Sequence, residues 1–261
     1  MGDRVSDDLV TLKALIISEV AAERQLLRQA ASQASVPIEL IEVDSPRAEP
    51  TCELLTQENA DVIFLDSRMG RAERKAILEA ARAAVGRPLV ILVGSADIRT
   101  REVLTDGLGV DGVLAKPINP VEARAVIDGC VRARLPNRVL IVDDSSTVRS
   151  VVRKVLQASR FRLEAQEASE GAAALERARS QHYDIIFLDY NMPGFDGFET
   201  LAELQHNDAN VQVVMITGTN DQTFPERARA SGAKDVLFKP FFAKDIDEVL
   251  NRLFGLMPQR G

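Results

Sequence analysis

Short unbroken apolar runs alternate along this chain with stretches whose apolar residues recur every three or four positions. The runs read as buried strands and the periodic stretches as amphipathic helices. In the second half, strands are expected at 139–142, 161–166, 184–188, 211–216 and 236–238. Helices are expected between them at 170–179, 197–205 and 221–231, with a closing helix at 243–254. Val148, Val151, Val152, Val155 and Leu156 form a further helical stripe, which Ser145 or Ser146 is placed to cap. The first half repeats the series, with strands at 14–17, 38–43, 61–65, 89–93 and 113–115 and a closing helix at 120–134. Pro120 suits the first turn of that last helix.

Apolar strands alternating with helices predict a parallel sheet covered on both faces. Five such units per half suit a doubly wound, flavodoxin-like sheet better than an eight-stranded barrel. The expected architecture is therefore α/β: two (βα)5 domains, each with a five-stranded parallel sheet. The boundaries read as an N-terminal extension at 1–11, a first domain at 12–135 and a second at 136–261. Pro136 stops a helix just before the next strand, so the connection is a short hinge.

The two halves share a nearly duplicated hexapeptide, Asp61-Val-Ile-Phe-Leu-Asp66 and Asp184-Ile-Ile-Phe-Leu-Asp189. Each is followed at the same separation by Lys-Pro, Lys116-Pro117 and Lys239-Pro240. In open α/β sheets, sites form beyond the carboxyl ends of the strands. In the second half those ends carry Asp143-Asp144, Asp189, Thr217 and Lys239. Three clustered carboxylates repel one another unless a cation joins them, and a hard divalent ion such as Mg²⁺ answers that need. A carboxylate beside such an ion and a Lys is able to act as a nucleophile toward phosphorus. Mg²⁺, Lys239 and the Thr217 hydroxyl would then share the charge on the transferred oxygens.

Composition narrows the picture only modestly. The 261 residues are 46% hydrophobic and 27% charged, an ordinary globular mix. A net charge of −7 disfavours nucleic acid as a partner. No apolar run approaches a membrane span, and Met1–Asp8 lacks the apolar core of a signal peptide, so a cytoplasmic location is expected. Cys52 and Cys130 have no metal-site or disulfide spacing. His182 and His206 lie in no kinase or phosphotransfer context.

The second half resembles the receiver domain of two-component response regulators. The motifs are Val142-Asp-Asp144, Leu188-Asp-Tyr-Asn-Met-Pro-Gly-Phe-Asp-Gly197, Ile216-Thr-Gly218 and Phe238-Lys-Pro-Phe241. The resemblance implies that Asp189 is the phosphoacceptor. It also implies that Asp144 binds Mg²⁺ directly, Asp143 largely through water, and Asn191 through its backbone carbonyl. Thr217 and Lys239 would contact phosphoryl oxygens, and Asn191 and Thr219 would tune the acyl-phosphate lifetime. Receivers often carry an aromatic switch residue three places before the lysine, where this chain has Val236.

Aligned to the same plan, the first half keeps Asp66 and Lys116. It has Ser18-Glu19 for the acid pair, Val93 for the threonine and Arg68 for the asparagine. These losses predict a degenerate pseudo-receiver, with Asp66 and Lys116 ion-paired and Arg68 assisting. The expected partners are a histidine kinase or phosphotransfer protein and a downstream protein target, and a homodimer is compatible with the sequence. Phe224, Arg227, Arg229 and Lys244 are candidate target contacts. No DNA-binding or separate catalytic domain is expected. A phosphorylation-independent scaffold, a regulatory piece of a longer protein and an aspartyl-phosphate phosphohydrolase are the competing readings. The phosphohydrolase is disfavoured because Asn191, not Asp, stands two places after Asp189.

Overall fold

The computed structural model describes residues 11–44, 48–95, 109–192 and 197–257. They divide into two compact units, the described residues up to 134 together with 254–257, and those from 135 to 253.

The first unit contains β1 (Leu12–Ile17), α1 (Ala21–Ala31), β2 (Ile38–Val43), α2 (Ala48–Glu58), β3 (Val62–Asp66), α3 (Arg71–Ala83), β4 (Leu89–Ser95), β5 (Gly112–Lys116) and α4 (Pro120–Arg134). The second contains β6 (Asn137–Val142), α5 (Ser146–Ala158), β7 (Leu163–Ala168), α6 (Gly171–Ser180), β8 (Ile185–Asp189), α7 (Gly197–Asn207), β9 (Gln212–Thr217), α8 (Phe224–Ala230), β10 (Asp235–Phe238) and α9 (Ala243–Leu253). Strand order is β2-β1-β3-β4-β5 in one sheet and β7-β6-β8-β9-β10 in the other, all parallel. This is the doubly wound, five-stranded fold the apolar runs predict.

Burial explains the strand sequences. The inner strands β3 and β8 are buried at every position, as helices on both faces require. Edge strands β2 (IELIEV) and β7 (LEAQEA) are largely only partly covered and carry several polar residues. In α5 the Ser145 hydroxyl caps by accepting from the Val148 N–H. Its buried line is Val152 and Leu156, with Val151 turned out to solvent.

Three expectations shift. The strand expected at 161–166 lies at β7, because Phe161 packs in the core before the strand begins and pairing extends to Val142 opposite Ala168. The helix expected at 221–231 begins at Phe224, because Asp221 instead accepts from the Thr223 N–H and hydroxyl in a turn. Residues 254–257, expected to lie in the second domain, group with the first. Within that unit the Val113 N–H donates to the Leu256 carbonyl, and Phe254 and Leu256 are buried. Gly129 permits the close approach: a Cβ there would stand 2.3 Å from the Phe254 carbonyl oxygen. The terminal residues Met1–Asp8 and 193–196 of the Met-Pro-Gly loop lie outside the described residues.

Candidate phosphoacceptor site

Parallel pairing delivers the second unit's polar residues to one rim. Val142 pairs with Leu188, and Asp189 with Ile216, so Asp143 and Asp189 emerge side by side. Carboxylate oxygens of Asp143, Asp144 and Asp189 lie within 4.8 Å of one another. Asp143 and Asp189 are buried and Asp144 is exposed. The Lys239 ammonium bridges the two buried acids, at 2.8 Å from Asp143 Oδ2 and 3.0 Å from Asp189 Oδ1. Asp143 Oδ1 also accepts from the Ser145 N–H at 2.8 Å. Gly197 starts α7 close against the loop, since a Cβ there would stand 2.8 Å from Tyr190 Cα.

Three carboxylates against one ammonium leave a net charge of −2. The protonation balance reflects it. Burial pushes the Asp189 carboxyl up, Lys239 pulls it down, Asp143 repels it, and the result lies above the usual carboxylate value. Burial opposes the Lys239 charge, but hydrogen bonds to Asp143 and Asp189 outweigh this and hold its pKa up. An all-oxygen cluster with two uncompensated negative charges fits a hard divalent cation such as Mg²⁺.

Thr217 closes β9 fully buried, its hydroxyl accepting from the Thr219 N–H at 3.1 Å. The Asn191 backbone N–H supports Asp189. Val236 is buried. Phe224, a candidate contact residue, is buried too, so it belongs to the core beside Tyr190 and Phe198. Phe238 and Phe242 are exposed.

The same rim in the first unit is assembled differently. Asp66 accepts from Arg68 at 2.7 Å and from Lys116 at 2.9 Å. Lys116 also pairs with Glu23 at 2.8 Å, and Arg68 reaches Glu23 at 3.3 Å. Ser18 Oγ lies 2.9 Å from Glu23 and 3.3 Å from Asp66. Two carboxylates therefore meet two cations, with Glu19 adding a further electrostatic pull on Arg68. Burial would raise the Asp66 carboxyl, but the Arg68 and Lys116 hydrogen bonds prevail and lower it to about 2.

One assignment is corrected by register. Asp66 pairs with Val93, as Asp189 pairs with Ile216, so Gly94 rather than Val93 holds the place of Thr217. The slip arises because Val-Gly and Ile-Thr differ in the residue that marks the strand end. The site has lost its hydroxyl either way. Glu23 was not singled out from sequence; its place in the first turn of α1, five residues after Ser18, is the available signal.

Comparison with known proteins agrees with this geometry. Residues 139–251 match the family described as "Response regulator receiver domain". The chemotaxis protein CheY of Bacillus subtilis (strain 168) is 33% identical over 118 residues, covering 45% of this chain and 98% of that protein. CheY of Thermotoga maritima is 30% identical over 116 residues, covering 44% of this chain and 96% of its own length. Across 93% of the chain, the structure of a probable two-component system response regulator/GGDEF domain protein aligns with a TM-score of 0.55. It is 21% identical, is covered over 97% of its length, and shows the fold alone. The acid triad, its bridging lysine and these matches converge: the chain belongs to the response regulator receiver family of two-component signalling, with the matched receiver domain in its second unit.

Proposed function

We propose that the second unit accepts a phosphoryl group on Asp189, with Mg²⁺ held by Asp143, Asp144, Asp189 and the Asn191 backbone carbonyl, and that the chain signals through protein–protein contacts. The observation that carries this reading is the carboxylate triad of net charge −2 bridged by Lys239. A carboxylate oxygen of Asp189 forms a bond to phosphorus as the bond to the donor's leaving group breaks, the electron pair departing with that group. Mg²⁺, when bound, supplies positive charge for the phosphoryl oxygens. Lys239 sits against Asp189 and offers a second positive charge; Thr217 supplies a hydroxyl from the neighbouring strand end.

The donor is a histidine kinase or phosphotransfer protein. Arg227, Arg229 and Lys244, all exposed, are contact residues for a downstream protein. The first unit acts as a pseudo-receiver and interaction surface, which the Arg68–Asp66–Lys116–Glu23 network supports: its cations already occupy Asp66.

The test is incubation with a small-molecule phosphodonor and Mg²⁺, followed by intact mass measurement of wild type, Asp189→Asn and Asp66→Asn. One added phosphoryl group that disappears only in Asp189→Asn is expected. Two groups on the wild type would overturn the pseudo-receiver reading. No group on any sample, including with a cognate kinase, would favour a scaffold that works without phosphorylation.

A further inference from the structure

Both units carry an arginine clamp at matching spacing, outside the acid clusters themselves. In the first unit Arg24 of α1 donates from Nη1 to the Ser18 carbonyl at 2.7 Å and from Nε to Glu42 of β2 at 3.2 Å. Arg28, one turn on, donates to the same Glu42 at 2.9 Å. In the second unit Arg149 of α5 donates from Nη1 to the Asp143 carbonyl at 2.7 Å and from Nε to Glu167 of β7 at 3.0 Å. Arg153, one turn on, donates to the same Glu167 at 2.5 Å. Each clamp ties a helix and an edge strand to the backbone where the first strand ends.

At the strand-end backbone the clamps differ in one bond. Arg149 Nη1 also reaches the Asp144 carbonyl, at 3.2 Å, whereas Arg24 bonds Ser18 alone at the corresponding backbone. That extra bond falls on the acid with the least other support. Asp143 is fixed by Ser145 and Lys239, but the exposed Asp144 carboxylate has no hydrogen-bond partner among the described residues. Its direction is therefore set by the backbone at 143–144.

We propose that Arg149, braced by Glu167, is a positioning residue for the acid pair: by holding both carbonyls it aims Asp144 and Asp143 at a shared divalent cation. This rests on the Mg²⁺ site proposed above. Glu167 is a durable brace. Burial would raise its carboxyl, but hydrogen bonds from Arg149 and Arg153 outweigh that and keep it below the usual range, so it stays charged at neutral pH. A lysine in place of Arg149 has one nitrogen, and cannot meet two carbonyls and a carboxylate in the planar geometry a guanidinium provides.

The test is calorimetric Mg²⁺ titration of the full chain as wild type, Arg149→Gln, Arg149→Lys and Arg24→Gln, with metal-free melting curves for each. Groups that orient metal ligands typically govern affinity by one to two orders of magnitude, so Arg149→Gln is expected to raise the Mg²⁺ Kd roughly ten-fold. The Mg²⁺ concentration for half-maximal phosphorylation shifts with it, while the plateau rate at saturating Mg²⁺ is retained. Arg149→Lys falls between, and carries the test if the glutamine variant does not fold. Arg24→Gln, which breaks the twin clamp, leaves the Mg²⁺ Kd unchanged. An unchanged Kd in the folded Arg149 variants, or an equal loss in Arg24→Gln, overturns the proposal while leaving the phosphoacceptor reading intact. A wild-type chain that binds no Mg²⁺ overturns both.

Discussion

Replacing each strand-end aspartate by asparagine is expected to change stability in opposite directions in the two units. Asp66 has two cations and a carboxyl lowered from 3.8 to about 2. At about 1.4 kcal/mol per unit, that preference for the charged form in the fold is worth about 2 kcal/mol at neutral pH. Lys116 keeps Glu23 when Asp66 is neutralised, and the half-exposed Arg68 returns to water, so the loss stays near that figure. Asp189 is the opposite case. Its carboxyl is raised, so its charge opposes folding at neutral pH, and asparagine removes one of three repelling acids while keeping an oxygen for Lys239.

The signs of the pH dependence follow. A lowered folded pKa gives Asp66 a stabilising contribution that is full above its ordinary value and is lost as pH falls through about 2. A raised folded pKa gives Asp189 a contribution that is full below its ordinary value and is lost as pH rises through the folded one. The assay is urea unfolding of the metal-free full chain at neutral pH, with hydrogen exchange at β3 and β8 assigning each change to its unit. Asp66→Asn should destabilise the first unit by about 2 kcal/mol, and Asp189→Asn should stabilise the second. A neutral Asp66→Asn together with a destabilising Asp189→Asn would refute the charge argument.

Three further outcomes are expected. Mg²⁺ at a hundred-fold excess over its Kd should stabilise the second unit by about 3 kcal/mol in thermal melts, an effect lost in Asp144→Ala; identical melts with and without Mg²⁺ would count against the site. Lys239→Met should leave Asp143 and Asp189 without their shared cation, lowering stability by about 1–3 kcal/mol in urea melts and slowing phosphoryl gain by mass spectrometry. Gly129→Val should force the Phe254 carbonyl away and destabilise the first unit by about 1–3 kcal/mol, read as faster hydrogen exchange in α4 and β5; unchanged exchange would contradict the packing.

Much of this arrangement is legible because parallel sheets write it into the chain. A strand buried on both faces must be a continuous apolar run, so the acid that ends it stands out, as Asp66 and Asp189 do. Lys116 and Lys239 are legible because each precedes a proline at the same separation from its acid. Side-chain partners across the rim are not. Glu23 meets Lys116 from a distant part of the chain, and no local periodicity records that meeting. The Arg149–Glu167 brace likewise depends on how a helix lies over an edge strand. Register escaped by one residue at Val93, where two apolar strand ends align equally well until hydrogen bonds decide. Phe224 was misplaced because a helix of seven residues is too short for its periodicity to reveal the buried face.

The first unit is discontinuous in sequence, since Phe254 and Leu256 lie in its core although the second unit's chain separates them from Arg134. Synthesis runs from the N-terminus, so the residues that complete the first unit leave the ribosome after every strand of the second. The β5 edge of the earlier half gains its Leu256 partner only once all the strands of the later half have been made. A backbone pairing within the first half thus depends on a segment made after the second half.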